Sequence, residues 1–536
     1  MIVDARTVPP GTDLTADLCI VGAGPSGLCL AERLEGQGLD VVLLEAGGLG
    51  RSLRDQALMR GDVIGNPTWA LDASRSRRFG GSGTFWGGLS RPLEPYDFEG
   101  KPWLGVDPWP VSGDEVARFH VDAAQVLRVR LEDFALDRHG ADLPSTPLAD
   151  RDLEPIIFQL SPLATRFDDY YLDPMGAAQD VRVLLHASVV RIDLADANPR
   201  VERVRVRTDR GPFTVTARAF VVAAGGIENA RLLLASRHQR EAGIGNEHDQ
   251  VGRYFMEHLH VGAGHLVPEG PGRDRRFFEV RRVSDVRLVG ALAPSRDAQE
   301  REGLLATSIT LLDHAYPFGH PFLAWPHALM MGPEIVWRRL RRGRMPSSQQ
   351  AGNGFRELGR TVWYAGQSLP VRRVAQRAAR QAGIRADGLQ TPYFRAEQRP
   401  NPSSRVTLSE RRDAYGTPLP RLDWRISDED LASVLGWLAG LGARARATGL
   451  GRVLPPDEAW PTRILGGPHH MGTTRMSATP RTGVVDADCR VHTVHNLYLA
   501  GSSVFPTAGH ANPTFTMLAL AARLADHLTK ELRSGA

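Results

Sequence analysis

The sequence of 536 residues has almost no lysine: Lys101 and Lys530 are the only two, and every other basic side chain apart from histidine is arginine. That leaves little room for Schiff-base or other lysine-based covalent chemistry. The formal net charge of +4 is small for this length, which argues against a general polyanion-binding surface, and nucleic acid is not an expected partner. Cysteine is scarce too. Cys19, Cys29 and Cys489 make neither a disulfide framework nor a metal-ligand spacing, and they read as small core residues in a reducing compartment. No metal is expected. Met1 to Arg6 has no apolar signal core and no twin arginine, and no transmembrane segment is apparent, so a cytoplasmic location is expected. No repeat or low-complexity segment stands out. What remains is an ordinary globular composition, 42% hydrophobic and 24% charged, long enough for two domains and a large core.

The first positive signal is Asp17 to Gly27, an apolar strand running into GxGxxG, with a helical pattern from Leu28 to Leu34. Gly22 allows the tight turn, Gly24 lets the backbone approach a pyrophosphate, and Gly27 lets helix and strand pack closely. The helix N-terminus offers free N–H groups to the phosphates. A second strand, Val41 to Leu44, delivers Glu45 at the spacing where a carboxylate accepts hydrogen bonds from adenosine ribose hydroxyls. Strand, motif, helix, strand and acid together predict dinucleotide binding. The motif alone leaves NAD and FAD both open.

Further along, Arg77 to Gly88 is too glycine-dense for a helix or central strand and reads as a loop lying close to something flat or bulky. Trp109 to Asp152 reads as a helical excursion. Val181 to Leu185, Val189 to Ile192, Val201 to Val206 and Phe213 to Ala217 read as a small antiparallel unit. It leads into a buried strand, Phe220 to Ala224, the Gly225-Gly226 turn and a helix from Glu228. From about 261 to 464 the patterning changes to mixed α+β. Strands are expected at Phe277 to Val280, Ser308 to Leu312, Arg405 to Ser409 and Pro420 to Arg425, with a helix capped near Ser427. The arginine-rich tract from Ile335 to Arg385 reads as a solvated helical face rather than a membrane or partner contact. Residues 1–100, 181–260 and 465–536 are assigned to the dinucleotide domain, and 101–180 and 261–464 to a substrate domain with helical insertions.

The tail carries the chemistry. A last strand, Asn496 to Ala500, is followed by the turn Gly501 to Pro506, then His510, Asn512 and Pro513, and a helix from Phe515. Proline is tolerated in a first helical turn. Such a helix end, aimed at the pyrimidine side of a flavin, stabilises negative charge that develops there on reduction. An alcohol becomes a hydride donor only as its O–H proton leaves, so a base titrating at about pH 7 is needed, and histidine suits it. His510 is the candidate base. Asn512 cannot be one, but its amide N–H can hold the oxygen.

In this order, GxGxxG at Gly22, Leu44 to Gly48, the Gly80 to Gly88 loop, Gly225-Gly226, Glu397 to Ser409, His469 to Met476 and the tail make the chain resemble the glucose-methanol-choline (GMC) flavin oxidoreductases. The resemblance implies the GMC fold: an α/β, Rossmann-like FAD domain of discontinuous segments plus an α+β substrate domain with a large, mainly antiparallel sheet. It implies oxidation of an alcohol by hydride transfer to flavin N5. His510 falls at the family's catalytic histidine and Asn512 at its partner. The implied FAD contacts are Gly22, Gly24, Gly27, Glu45, Ala46, Gly81, Ser82, Trp86, Gly87, Gly88, Val189, Ala224, Gly501, Ser502, Asn512, Pro513 and Thr514, with His470 a minor candidate for touching substrate. Arg475 reads as a structural ion-pair partner. Phe85 stands where fungal pyranose oxidases carry the histidine that attaches FAD, so FAD is expected to be non-covalent. Gly501-Ser502 departs from the Gly-Asp that many FAD proteins use.

The tail and Arg253 to His258 look most like bacterial pyranose oxidase and C-glycoside 3-oxidase relatives. The expected reaction is oxidation of a secondary hydroxyl of a sugar or glycoside to a ketone, with O2 or another electron acceptor, in a monomer or homo-oligomer. Open alternatives are a GMC oxidase or dehydrogenase of a non-sugar alcohol, a hydroxynitrile lyase-type FAD protein, and a non-catalytic flavin- or NAD-binding module.

Overall fold

The computed structural model describes residues 1–313 and 389–534, apart from positions 144, 163–165, 197–198, 270–275 and 284–285. The arginine-rich tract lies outside the described residues. Two sheets organise the rest. The first has eight strands. Its parallel part runs Ile2–Asp4, Val181–Leu185, Val41–Leu44, Asp13–Val21, Pro212–Val222. Asp13–Val21 shows why sequence dictates position: its polar start alternates between exposed and half-buried, and Leu18 to Val21 are then buried, matching the apolar run.

Pro212–Val222 joins two architectures. Its first half pairs antiparallel with Val201–Arg207, which pairs in turn with Ser188–Leu194, while its second half pairs parallel with Leu497–Leu499. The two runs expected at Phe213 and Phe220 are therefore one strand. Val181–Leu185 was expected in the antiparallel unit but lies between Ile2–Asp4 and Val41–Leu44 in the parallel part. Four of its five residues are buried, the continuous burial of a strand covered on both faces. Helices Pro25–Leu34 and Thr514–Ser534 pack against each other beside this sheet.

The second sheet has ten strands, and its pairings are antiparallel. At its centre Gln390–Ala396 has Thr307–Asp313 along one edge and Leu259–Gly262 along the other. Behind it lies helix Asp428–Ala447, which starts with a capping box between Ser427 and Asp430. The strand expected at Phe277 to Val280 is instead a short 3-10 turn, Arg276–Phe278. Phe277 and Phe278 are both buried, and a strand would have turned one of them outward. A third sheet, Arg405–Arg412, Pro418–Asp423 and Asp62–Val63, packs on helix Glu228–Ala235.

Candidate active site

A cavity of about 520 Å³ opens at the carboxyl ends of the parallel strands. Gly22 and Gly24 line it, and Gly22 has φ +105° with Ala223 O only 2.7 Å from where a Cβ would sit. Gly27 is off the wall; a Cβ there would press into Gly22 O, so its role is helix packing. No side chain caps the helix that starts at Pro25, which leaves its N–H groups for an anion. Glu45 and Ala46 continue the wall. Glu45 accepts from Ala23 N (2.9 Å) and Gly47 N (2.8 Å). Burial pushes its pKa up and those two N–H groups oppose the rise. A carboxylate so held keeps lone pairs for ribose hydroxyls.

Gly81, Ser82, Trp86 and Gly87 lie on the wall, and a Cβ on Gly81 would come 3.0 Å from Gly24 Cα. Gly88 is behind it at φ +78°, against Ser161. Val189, Ala224, Gly501, Ser502, Asn512, Pro513 and Thr514 complete the lining, with His470 beside them. Ser26 Oγ is buried with no hydrogen-bond partner and lines the same cavity, as expected of a group awaiting a phosphate oxygen. These features fit a flavin dinucleotide. Phe85 also lines the cavity and offers no nucleophile to a flavin.

Charges missed in the sequence close this cavity at one end. Glu228 bonds Arg75 (2.6 Å) and Arg231 (3.0 Å), and Arg231 bonds Asp413 (2.6 Å). Burial alone would raise the pKa of Glu228, but Arg231 and Arg75 outweigh it and hold the group at about 2. Glu228 and Arg231 are three apart on one helix, but Arg75 and Asp413 come from distant segments that no local spacing ties to them.

His510 does not line that cavity. It is 1% exposed, and neither Nδ1 nor Nε2 has a hydrogen-bond partner. Burial first, then Arg91, His258, Lys101 and Arg395, hold its pKa well below the usual imidazole range. It is thus a neutral imidazole with a bare nitrogen. Its loop is fixed on both sides. Gly509 N donates to Glu397 Oε1 (3.1 Å), whose Oε2 meets Lys101 Nζ at 3.1 Å, and Trp109 Nε1 donates to Thr507 Oγ1 at 2.7 Å. Gly509 has φ +57°, and a Cβ there would collide with Leu93.

A second histidine cluster, in which His258 joins the His469-His470 pair, adjoins Asn512. His258 Nε2 lies 3.0 Å from Gly509 O, so that nitrogen carries the hydrogen. Burial lowers the pKa of His258 against the pull of those carbonyls, so its Nδ1 is bare and accepts from His469 Nδ1 at 2.8 Å. His469 Nε2 then accepts from Asn512 Nδ2, 3.1 Å away, and Asn512 Oδ1 is left buried without a partner. The carbonyls thereby orient the Asn512 amide. His470 is occupied by Glu257 (Nε2 to Oε1, 3.2 Å). Arg475, expected in an ion pair, stacks on Tyr254 instead, 4.5 Å from the ring centroid.

Residues 17–246 match the family model described as FAD dependent oxidoreductase, and residues 400–521 match the one described as GMC oxidoreductase. The chain thus carries a GMC oxidoreductase C-terminal domain behind an FAD dependent oxidoreductase domain. Its cofactor is FAD. Among the relatives, the fructose dehydrogenase large subunit of Gluconobacter japonicus is 23% identical over 97% of this chain and 99% of its own. The 6'''-hydroxyparomomycin C oxidase of Streptomyces lividus is 26% identical over 97% and 94%. A C-glycoside 3-oxidase of Microbacterium trichothecenolyticum is 36% identical over 24% and 25%. The pyridoxine 4-oxidase structure from Mesorbium loti matches with TM-score 0.53 at 18% identity, covering 96% of this chain and 99% of that one, and shares the fold. Among the described residues, no helix is long and apolar enough to cross a membrane.

Proposed function

We propose that the protein oxidises a secondary hydroxyl of a sugar or glycoside to a ketone, with His510 as the base. The observation that carries this reading is the His510 ring, buried beside the cofactor cavity's Asn512 with both nitrogens unpartnered. A buried polar group without a partner is costly and rare outside functional sites. Relatives named fructose dehydrogenase large subunit, C-glycoside 3-oxidase and pyranose 2-oxidase support the substrate class.

Bound FAD supplies the two-electron acceptor that takes the hydride from the alcohol carbon. The chain does the rest. The glycine turn at Gly22 and the open helix end at Pro25 bind the dinucleotide, and Glu45 holds its ribose. His510 takes the hydroxyl proton on a bare ring nitrogen; its neutral form is the competent one. Asn512 presents the substrate oxygen with the amide edge that His469 leaves open. Glu397 and His258 hold the Gly509 backbone from two sides, so the base stays in place while the buried setting excludes water. O2 or another acceptor completes the cycle. The three buried free thiols accord with a cytoplasmic setting, which we retain as part of the proposal.

Anaerobic mixing of the yellow holoenzyme with free sugars, glycosides and simple alcohols tests the reading. Bleaching by sugars or glycosides is expected. Bleaching only by aliphatic alcohols, or cyanohydrin cleavage without bleaching, would overturn it. His510→Ala is expected to keep its colour and lose reduction by about 10²–10⁴-fold.

A further inference from the structure

The other buried arginines among the described residues have an evident counter-group. Arg75 has Glu228, Arg231 has Glu228 and Asp413, and Arg475 has the Tyr254 ring with Asp107 acting on it at longer range. Arg395 is different. It is 6% exposed at the centre of the ten-stranded sheet, and among the described residues it has no carboxylate partner. Its side-chain hydrogen bond goes to Ser308 Oγ at 3.3 Å. Its guanidinium lies over Phe158 and Tyr393, 5.3 and 5.8 Å from the ring centroids. Ring faces return only part of the cost of burying a cation. Most of its five N–H donors remain available to something else.

Its position says what that something is. Arg395 is in register with His260 on one side and Ser308 on the other. The His260 ring contacts His469, the residue that holds Asn512. Glu397, two residues on and therefore on the same face, holds the Gly509 N–H beside His510.

We propose that the substrate of the His510 site carries a carboxylate, bound by the Arg395 guanidinium. This rests on the reading of His510 as the site of alcohol oxidation and narrows its substrate class to a hydroxy acid of the sugar or glycoside type, such as a uronide. One guanidinium matches the single charge and planar oxygens of a carboxylate in a two-bond fork, whereas a phosphate dianion would be left half compensated. The electrostatics at the base agree. Of the full cations that depress the proton affinity of His510, Arg91 is paired with Glu94 and Lys101 with Glu397, while Arg395 is uncompensated. A carboxylate on Arg395 cancels that field as it binds, so the base strengthens when its substrate is in place.

The test uses holoenzyme with three probes: methyl β-D-glucuronide, methyl β-D-glucoside and glucose 6-phosphate. Binding is read anaerobically from the flavin spectrum, and turnover from the rate of bleaching. The glucuronide is expected to show the highest kcat/KM, and Arg395→Met to cost it about 100-fold or more while the glucoside reacts faster, because the cation that weakens His510 is gone. Arg395→Lys, which keeps the charge but loses the fork, is expected to fall between, and covers the case in which the Met variant fails to fold. In His510→Ala the glucuronide is expected to bind without bleaching the flavin. Preference of the wild type for the glucoside or the phosphate would overturn the carboxylate proposal and leave the oxidation reading standing. Full reduction of His510→Ala would remove the base reading while glucuronide binding could still succeed.

Discussion

The cofactor cradle and the sheet face around His510 are built from different materials. The cradle is mostly backbone: glycines at 22, 24 and 81, an uncapped helix end, and one carboxylate held by two N–H groups. The His510 face is mostly side chains, brought from Lys101, His258, Glu397, His469 and Asn512 on separate segments. Where backbone makes a site, a short motif encodes it; where distant side chains make it, only packing assembles it.

Breaking the cradle is expected to have the largest effect. Gly27→Val forces a side chain into the Gly22 carbonyl, and the purified protein is expected to lack both flavin absorbance and a cooperative melt. Yellow protein of normal stability would mean that the cradle tolerates what its geometry forbids. Next is Lys101→Met, which leaves Glu397 and Asp97 buried without their cation. A stability loss of about 3–5 kcal/mol in denaturant unfolding is expected. Burial already pushes Asp97 up to about 7, with Lys101 opposing and Glu397 adding to the rise. Flavin affinity is expected to survive while reduction slows, which separates the two regions.

The charge cluster at the cradle's far end supplies an acid limit. Glu228 stands at about 2 in the folded protein against an ordinary 4.5. Its stabilisation is therefore complete above about pH 4.5 and is lost as pH falls toward 2, a total of about 3 kcal/mol. Urea unfolding at pH 7, 4 and 3 is expected to show this slope in the wild type and a flatter one in Glu228→Gln. The smallest effect belongs to His469→Phe, which releases the Asn512 amide. A neutral hydrogen bond is worth about 1 kcal/mol, so kcat is expected to fall about five- to tenfold with flavin affinity unchanged. His469→Gln, which still offers an acceptor, is expected to recover part of it, and a purely structural role would show no such recovery.

Legibility in the sequence followed the same division. The GxGxxG strand, Glu45, the glycine loop near Gly81 and the capped helix at Ser427 each declare themselves within a few residues, because turn geometry and capping are local. Val181–Leu185 was misplaced because a buried parallel strand and an antiparallel one look alike from periodicity. Phe277 misled because strand-like composition does not say whether both aromatics will be buried. His258 and His469 lie in the stretches Arg253 to His258 and His469 to Met476, whose motifs do not tell that the two rings meet, and Arg395 carried no motif.

The sequence by itself determined that this chain holds a dinucleotide, and its motif order implied a GMC flavoprotein with His510 and Asn512 at the working end. Backbone requirements are written in glycines and caps, so they can be read before folding. Packing, by contrast, makes His510 buried and unpartnered with a lowered pKa, lines two histidines up behind Asn512, and leaves Arg395 buried without a carboxylate among the described residues. Those facts depend on burial and on charges hundreds of residues apart, and neither exists until the sheets pack.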